Sequence, residues 1–173
     1  FHEIVKNNPP RIRYRGLSNS GYALIPKVGR SMNYSLHNEK MTFKIFKIQG
    51  MPYLGFTPKT DWGWLAIAQH HGLATRLLDW TRNPLTALYF AVQSSPKTNG
   101  VVYMREPGKI ISEDHDISPF EVDEMVTFIP SYLAPRIGTQ EGDFTVHPDP
   151  TKPIAGDEVR KVVIRKAAKS KIV

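Results

Sequence analysis

Residues able to bind a ligand or take part in catalysis are concentrated in one short segment of this sequence. Imidazole and amide side chains can hydrogen-bond amides or ribose hydroxyls, and an indole offers a flat apolar wall for an aromatic ring. Packing alone would place Trp80 in the core, Arg76 and Asp79 in an ion pair, and the histidines at a helix end. The concentration of such side chains nevertheless favours a binding site, formed by Gln69, His70, His71, Arg76, Asp79, Trp80 and Thr81.

A second candidate is the triplet Tyr14-Arg15-Gly16. The alternation in RIRYR, residues 11–15, predicts a strand that runs into Gly16. An arginine at a strand end can project its planar guanidinium into a cleft, where it suits phosphate because it donates two parallel hydrogen bonds. Glycine lets the backbone approach a ligand closely. The competing interpretation is an ordinary surface arginine beside a turn.

A third candidate lies in RIGTQEGDFTVH, residues 136–147. Because side chains alternate along a strand, Gln140, Gly142, Phe144 and Val146 share one face and Glu141, Asp143 and Thr145 share the other. The face of Phe144 is apolar and should point inward, taking Gln140 with it. Glu141 should then face solvent or a cleft on the opposite side.

Metal-dependent and covalent chemistry find little support in the sequence. Adjacent His70 and His71 would point in different directions on a helix, and no HExxH spacing stacks two ligands one turn apart. His115 lies between two aspartates in a predicted loop, which leaves a weak metal site as an alternative. The chain has no cysteine and no GxSxG, GxGxxG or Walker sequence, which excludes thiolate sites and the standard signatures. We therefore expect no metal.

Two helices are predicted before the densest candidate segment. The first covers residues 36–49, with one apolar face formed by Met41, Ile45 and Ile48. The second begins at Asp61, which occupies an N-cap position, and stops at Gly72.

A third helix is predicted directly after that segment. Asn83-Pro84 marks its start, because proline suits the first helical position. Its apolar stripe is formed by Leu85, Leu88, Tyr89 and Val92.

The other ordered segments are predicted to be short strands, at residues 101–104, 140–146 and 159–164. Residues 105–120 are polar and irregular, and the chain's 14 prolines and 12 glycines imply many turns. Strands and helices do not alternate regularly, which favours an α+β domain with a mixed or antiparallel sheet over a doubly wound fold.

Length and charge describe one basic domain. The chain has 173 residues, a formal charge of +7 and a pI near 9.6, which favours anionic partners such as a dinucleotide or nucleic acid. Basic residues cluster at Arg11–Arg15 and at Arg160–Lys171, and the second cluster could be a solvated tail. The absence of cysteine suits a reducing cytoplasm, and no apolar run predicts a membrane helix or signal peptide.

Three segments together resemble the FRG domain, a bacterial and phage-borne family named for its aromatic-Arg-Gly motif. They are, in order, YRG, QHHGLATRLLDWTRNPLTALYFA and RIGTQEGDFTVHPDP. The resemblance covers about residues 11–165 and implies a single FRG-type domain over residues 1–173. Family members often continue into a further helix and an FPDL-like segment, so we expect this chain to be a piece of a longer protein.

A fainter resemblance connects the same segments to ADP-ribosyltransferases of the Arg-Ser-Glu class. It matches Arg15 to the NAD-binding arginine, Asp79-Trp80-Thr81 with LTALYFA to the second block, and Gln140-Glu141 to the strand-borne glutamate. The FRG pattern Gln-x-Gly-x-Phe places Gln140 at the recurring position. An ADP-ribosyltransferase-like fold follows from this resemblance.

The resemblance implies that Arg15 holds the diphosphate of NAD while Trp80 or Tyr14 stacks on the nicotinamide. A carboxylate would stabilise the oxocarbenium-like ribose, and a protein, a nucleic acid or water would accept the ADP-ribose. We predict catalytic roles for Arg15, Thr81, Gln140 and Glu141. The predicted NAD-binding residues are Tyr14, Gly16, His70, His71, Arg76, Asp79 and Trp80.

Such an enzyme would be a cytoplasmic toxin or phage-defence effector. The alternative is a recognition module without chemistry, which binds nucleic acid or protein through its basic surface.

Overall fold

One seven-stranded sheet runs through the part of the chain that the computed structural model describes, which is residues 11–130, 142–154 and 156–172. Its strands are β1 (Arg13–Leu17), β2 (Leu77–Thr81), β3 (Gly100–Arg105), β4 (Ile110–Ile111), β5 (Val126–Phe128), β6 (Gly142–Val146) and β7 (Arg160–Ile164). They lie in the order β4-β5-β6-β2-β1-β3-β7, and all neighbours are antiparallel except β4 and β5. The mixed sheet confirms the predicted α+β class.

Helix α1 (Leu36–Gly50) covers the predicted range, but the side that it buries is not the apolar face predicted from the sequence. Ser35 caps it by accepting a hydrogen bond from the Asn38 amide. Its core-facing side contains Glu39 and Phe43, whereas the apolar face predicted from the sequence is exposed: Met41 at 44%, Ile45 at 47% and Ile48 at 64%. Glu39 is buried because it pairs with Arg76, the residue directly before β2, and this ion pair fixes which side of α1 faces inward.

Helix α2 (Asp61–His70) begins one residue earlier than predicted. The N-cap is Thr60, whose Oγ1 accepts a hydrogen bond from the Gly63 amide, and Asp61 is the first helical residue. The interior of α2 is almost wholly buried, as the predicted apolar pattern requires. The chain leaves the helix at Gly72, whose φ of 85° lies in the left-handed region that favours glycine.

Helix α3 (Pro84–Val92) starts where Asn83-Pro84 predicted. The Asn83 side chain accepts hydrogen bonds from the amides of Leu85 (2.9 Å) and Thr86 (3.4 Å). The predicted apolar stripe is right for Val92, which is buried, and for Leu88, which packs against the core. It is wrong for Leu85 and Tyr89, which are exposed, and the fully buried positions are Ala87 and Ala91.

Two glycines of the sheet explain which face of α3 is buried. A Cβ at Gly16 would collide with the Ala87 carbonyl, and one at Gly100 would collide with the Ala91 carbonyl. The helix backbone therefore lies directly against β1 and β3, where only alanine side chains fit. The predicted close approach at Gly16 is thus to α3, and Leu85 and Tyr89 are turned away from the sheet.

The basic C-terminal cluster is folded rather than a solvated tail. It contains the edge strand β7 and the short helix α4 (Lys166–Lys169). Lys169 is 3% exposed, and its Nζ donates to the carbonyls of Ser18 (2.6 Å), Ser94 (3.1 Å) and Ser95 (3.1 Å). This ammonium ties the C-terminal segment to the end of α3 and to β1. In the described part of the chain, no helix is long and apolar enough to cross a membrane.

We expect Lys169→Met to lower the free energy of unfolding by about 2–4 kcal/mol, because buried carbonyls would lose their donor. Urea denaturation measures the change. Lys171→Met is the matched control at an exposed position, and it should leave stability nearly unchanged. Equal effects of the two substitutions would contradict the structural role of Lys169.

A buried histidine follows β6. His147 is 4% exposed, and its Nε2 lies 3.2 Å from the Thr145 hydroxyl. Burial, with the guanidinium groups of Arg105 and Arg76 nearby, lowers the pKa of His147 from 6.5 to about 4. The folded protein therefore keeps this ring neutral at pH values where the unfolded chain is already protonated.

Stability should consequently fall as the pH drops from 6.5 toward 4, because the unfolded chain binds the extra proton first. At pH 4 His147 lowers the free energy of unfolding by about 3 kcal/mol. This stability is regained as the pH rises above 6.5, the pKa of the histidine in the unfolded chain. Denaturation of the wild type and His147→Gln across this range tests it. Parallel profiles for the two proteins would exclude His147 as the source.

Candidate functional site

The sheet is open at its centre, between β1 and β2. These strands share one residue pair, Tyr14 opposite Thr81, whereas β1 and β3 share five. The guanidinium of Arg15 occupies the opening, where its Nη1 donates to the Asp79 carbonyl at 2.5 Å. Arg15 thereby bonds a backbone acceptor of β2 where the two strands separate.

A cleft of about 840 Å³ lies at this opening, a size typical of small-molecule sites. Helices α2 and α3 form its walls, and the ends of β1, β2 and β6 form its floor. Its lining residues are Tyr14, Arg15, Gly16, Ala66, Gln69, His70, Asp79, Trp80, Thr81, Asn83, Thr86, Ala87, Phe90, Gly142, Asp143 and Phe144.

Arg15 carries a donor that no described residue uses. Its Nε is buried without a hydrogen-bond partner in the described part of the chain, and its side chain is 17% exposed. Burial lowers the pKa of Arg15, and the nearby Asp79 carboxylate opposes that shift. Because buried donors are nearly always paired, an unpaired guanidinium nitrogen beside a cleft suits an anionic ligand.

Asp79 presents a carboxylate on the wall of the cleft. Its side chain is 54% exposed, and one oxygen lies 3.3 Å from Arg15 Nη1. The other accepts a hydrogen bond from Gln69 Nε2 at 3.0 Å, and the Thr75 hydroxyl donates to the side-chain oxygen Oε1 of Gln69 at 2.6 Å. The threonine fixes the Gln69 amide, and the amide fixes the carboxylate. The pairing of Asp79 with Arg76 expected from the sequence is therefore wrong.

Arg76 lies elsewhere, in the core beneath α1. It is 1% exposed, and its Nε and Nη2 donate to the Glu39 carboxylate at 3.0 and 2.7 Å. Nη1 donates to the carbonyls of Pro119 and His147. With its donors engaged inside the protein, Arg76 holds α1 against the sheet and does not line the cleft where we predicted it to bind NAD.

The aromatic residues predicted to stack on a ligand are buried. Trp80 is 3% exposed, its indole N–H donates to Thr145 at 3.0 Å, and Tyr14 is 4% exposed. Both border the cleft, but neither ring is available for stacking on a ligand. Phe90, which is 48% exposed, and the partly buried Phe144 offer ring surface instead.

The adjacent histidines do not separate as predicted, because their ring centroids lie 5.5 Å apart in an edge-to-face arrangement. His70 lines the cleft, whereas His71 follows the end of α2, where its ring lies 6.5 Å from that of Phe46. Thr81 also lines the cleft, and its hydroxyl accepts a hydrogen bond from the Asn83 amide. Across the residues described here, no group of three His, Cys, Asp or Glu side chains could hold a metal ion.

The described side chains on the face of β6 opposite Phe144 are buried, although Asp143 borders the cleft. Asp143 is 1% exposed and pairs with Arg13 and with Arg82, while Thr145 is fully buried. Gln140 and Glu141, predicted as catalytic, lie outside the described residues.

Sequence reasoning did not assign Asn83, Thr86, Phe90 or Phe144 to the site. Asn83 was identified as a helix start, and that position alone puts α3 residues beside the candidate segment. The exposure of Phe90 had no sequence signal, because it depends on the close contact between α3 and two distant glycines.

Fold and site together define an α+β domain with a ligand-sized cleft at the opening of a mixed sheet. The profile of the FRG domain matches residues 10–100, more than half of the chain, and this range includes Tyr14-Arg15-Gly16 and Gln69–Ala91. The chain belongs to the FRG domain family. Comparisons with curated proteins and with solved structures found no match.

Proposed function

We propose that the cleft binds NAD and that the domain transfers ADP-ribose to a macromolecular acceptor or to water. One observation carries the proposal: the side chain of Arg15, whose Nε has no partner among the described residues, borders the same cleft as the exposed carboxylate of Asp79. The first group suits the diphosphate of NAD, and the second suits the positive charge that develops on the ribose.

The surroundings of Arg15 support its assignment to the diphosphate. Helix N-termini often bind phosphate, but the first amides of α3 already donate to the Asn83 side chain. Among the described residues that line the cleft, Arg15 is the only arginine. Phe90 would pack against an aromatic ring of NAD, and the hydroxyls of Thr81 and Thr86 can bond its ribose groups.

In the proposed reaction, the bond between the ribose C1′ and the nicotinamide nitrogen breaks, and its electron pair leaves with nicotinamide. The ribose becomes oxocarbenium-like, and the negative charge of Asp79 stabilises it. An oxygen or nitrogen of the acceptor then bonds to C1′ and releases its proton to the carboxylate or to solvent. Asp79 thus takes the role that the resemblance gave to the Gln140-Glu141 strand.

Isothermal titration with NAD, followed by measurement of nicotinamide release, tests the proposal. We expect a dissociation constant in the range of about 1 μM to 1 mM, typical of enzyme substrates. The absence of both NAD binding and nicotinamide release would refute the proposal. The expectation of a toxin or phage-defence effector remains a prediction that a growth assay on expression of the intact protein addresses.

A recognition module without chemistry is the second candidate. It is favoured by exposed basic side chains around α4 that form no ion pair with a described residue. This function predicts polyanion binding by a protein that does not bind NAD.

A further inference from the structure

Helix α3 presents large apolar side chains to solvent directly beside the cleft. Leu85 is 67% exposed, Tyr89 56% and Phe90 48%, and the Tyr89 and Phe90 ring centroids lie 5.7 Å apart. Phe90 also lines the cleft, so this aromatic surface continues into the candidate site. Exposed aromatic rings are suitable platforms for unpaired bases.

A basic cluster lies at the C-terminal end of the same helix. Lys169 bonds the carbonyls of Ser94 and Ser95, and the Lys166 amide donates to the Asn99 side chain at 2.9 Å. These contacts fix α4 at the end of α3. The cluster comprises four exposed residues, namely Lys97, Arg165, Lys166 and Lys171.

The four basic residues of the cluster lie together without an acidic partner among the described residues, whereas several other lysines of the protein have one. Lys47 pairs with Asp61 and Lys109 with Glu124, both at 2.7 Å. None of the four cluster residues forms an ion pair with any residue that the structure describes. Its positive charge is therefore uncompensated locally, and the complementary ligand is an anion with several charges.

We propose that this surface binds single-stranded nucleic acid, with phosphates on the basic cluster and a base stacked on Tyr89, beside the cleft that Phe90 lines. A strand bound in this way would run along α3 toward the cleft. Duplex nucleic acid fits poorly, because its bases are stacked on each other and cannot reach the aromatic rings. The inference deepens the proposed function by naming the class of acceptor, but the binding itself does not depend on NAD.

Fluorescence anisotropy with labelled oligouridine and oligodeoxythymidine of about 20 nucleotides, the scale of such sites, measures binding. A duplex of the same length is the competitor. We expect single strands to bind more tightly than the duplex, with affinity falling as salt rises. The two labelled strands distinguish RNA from DNA as the preferred ligand.

Two variants separate the phosphate contacts from stacking. The triple variant Lys97→Gln/Lys166→Gln/Lys171→Gln should reduce affinity and flatten the salt dependence by about 2 units of slope, because each lost phosphate contact contributes about 0.7. Tyr89→Ala should weaken binding by about fivefold or more while keeping the salt slope of the wild type, because it removes stacking and no charge.

A matched variant controls for net charge. Lys40→Gln/Lys44→Gln/Lys59→Gln removes the same charge from α1 and the segment after it, and it should leave affinity nearly unchanged. An equal loss with this control, or equal affinity for duplex and single strand, would overturn the proposal, and so would failure of the wild type to bind either strand.

The NAD titration keeps the two proposals separate. Tyr89→Ala and the cluster variant should bind NAD like the wild type, because Tyr89 and the cluster residues do not line the cleft. Oligonucleotide binding without NAD binding would refute the proposed enzyme and leave this surface assigned. NAD binding without oligonucleotide binding would refute the assignment of this surface and leave the proposed enzyme standing.

Discussion

Replacing Arg15 with lysine is expected to weaken NAD binding by about 10- to 100-fold, the loss of one charge-assisted hydrogen bond or slightly more. Lysine keeps the positive charge but lacks the planar fork that can bond the diphosphate while Nη1 remains on the Asp79 carbonyl. A point charge cannot meet both requirements. Isothermal titration gives the affinity, and thermal denaturation shows whether the fold is retained.

Arg30→Lys is the matched control for this prediction. Arg30 is exposed and does not line the cleft, so the same chemical change there should leave NAD affinity unaltered. If Arg15→Lys binds NAD as tightly as the wild type in a folded protein, Arg15 does not hold the diphosphate.

Replacing Asp79 with asparagine should slow nicotinamide release by about 100- to 1,000-fold, the usual effect of removing one electrostatic contact with a transition state. Asparagine has nearly the same shape, and its amide oxygen can still accept the Gln69 hydrogen bond. It cannot supply the negative charge that stabilises the developing cation. NAD affinity should change little, because the substitution removes a charge used mainly in the transition state.

Two further substitutions make the result for Asp79 specific. Asp157→Asn removes a carboxylate at an exposed position outside the cleft and should leave the rate unchanged. Glu141→Gln tests the carboxylate that the resemblance to ADP-ribosyltransferases pointed to. A large loss of activity with Glu141→Gln and none with Asp79→Asn would move the catalytic role to Glu141.

Local signals in the sequence predicted the helix boundaries well. Asn83-Pro84 starts α3 because the Asn83 side chain and the proline ring both satisfy needs of a first helical turn. The strand predicted at residues 140–146 likewise corresponds to β6, because alternating residue types mark an extended segment.

The orientation of the helices depended on residues far away in the sequence. Glu39 of α1 is buried because it forms an ion pair with Arg76, which packs beneath the helix. The periodicity of residues within α1 gives no indication of this distant partner. The buried face of α3 is chosen by Gly16 and Gly100, which belong to two different strands. A hydrophobic stripe predicts burial only when the opposing surface accepts large side chains.

The candidate site was predictable in position and less so in detail. The segment from Gln69 to Thr81 and the Tyr14-Arg15-Gly16 triplet do meet at one cleft, which composition and spacing could suggest. The separation of β1 from β2, and the resulting contact between Arg15 and Asp79, is a tertiary feature that neither segment contains alone.

The contact of Gly16 with α3 divides the Tyr14-Arg15-Gly16 triplet into two independent halves. The glycine is required by a helix that leaves no space for another atom, whereas the arginine is not required by that packing. A relative that kept Gly16 and Ala87 but lost Arg15 would retain the architecture without the guanidinium that the proposed function assigns to the diphosphate. Presence of the glycine therefore identifies the scaffold, and only the arginine and its carboxylate partner bear on the proposed activity.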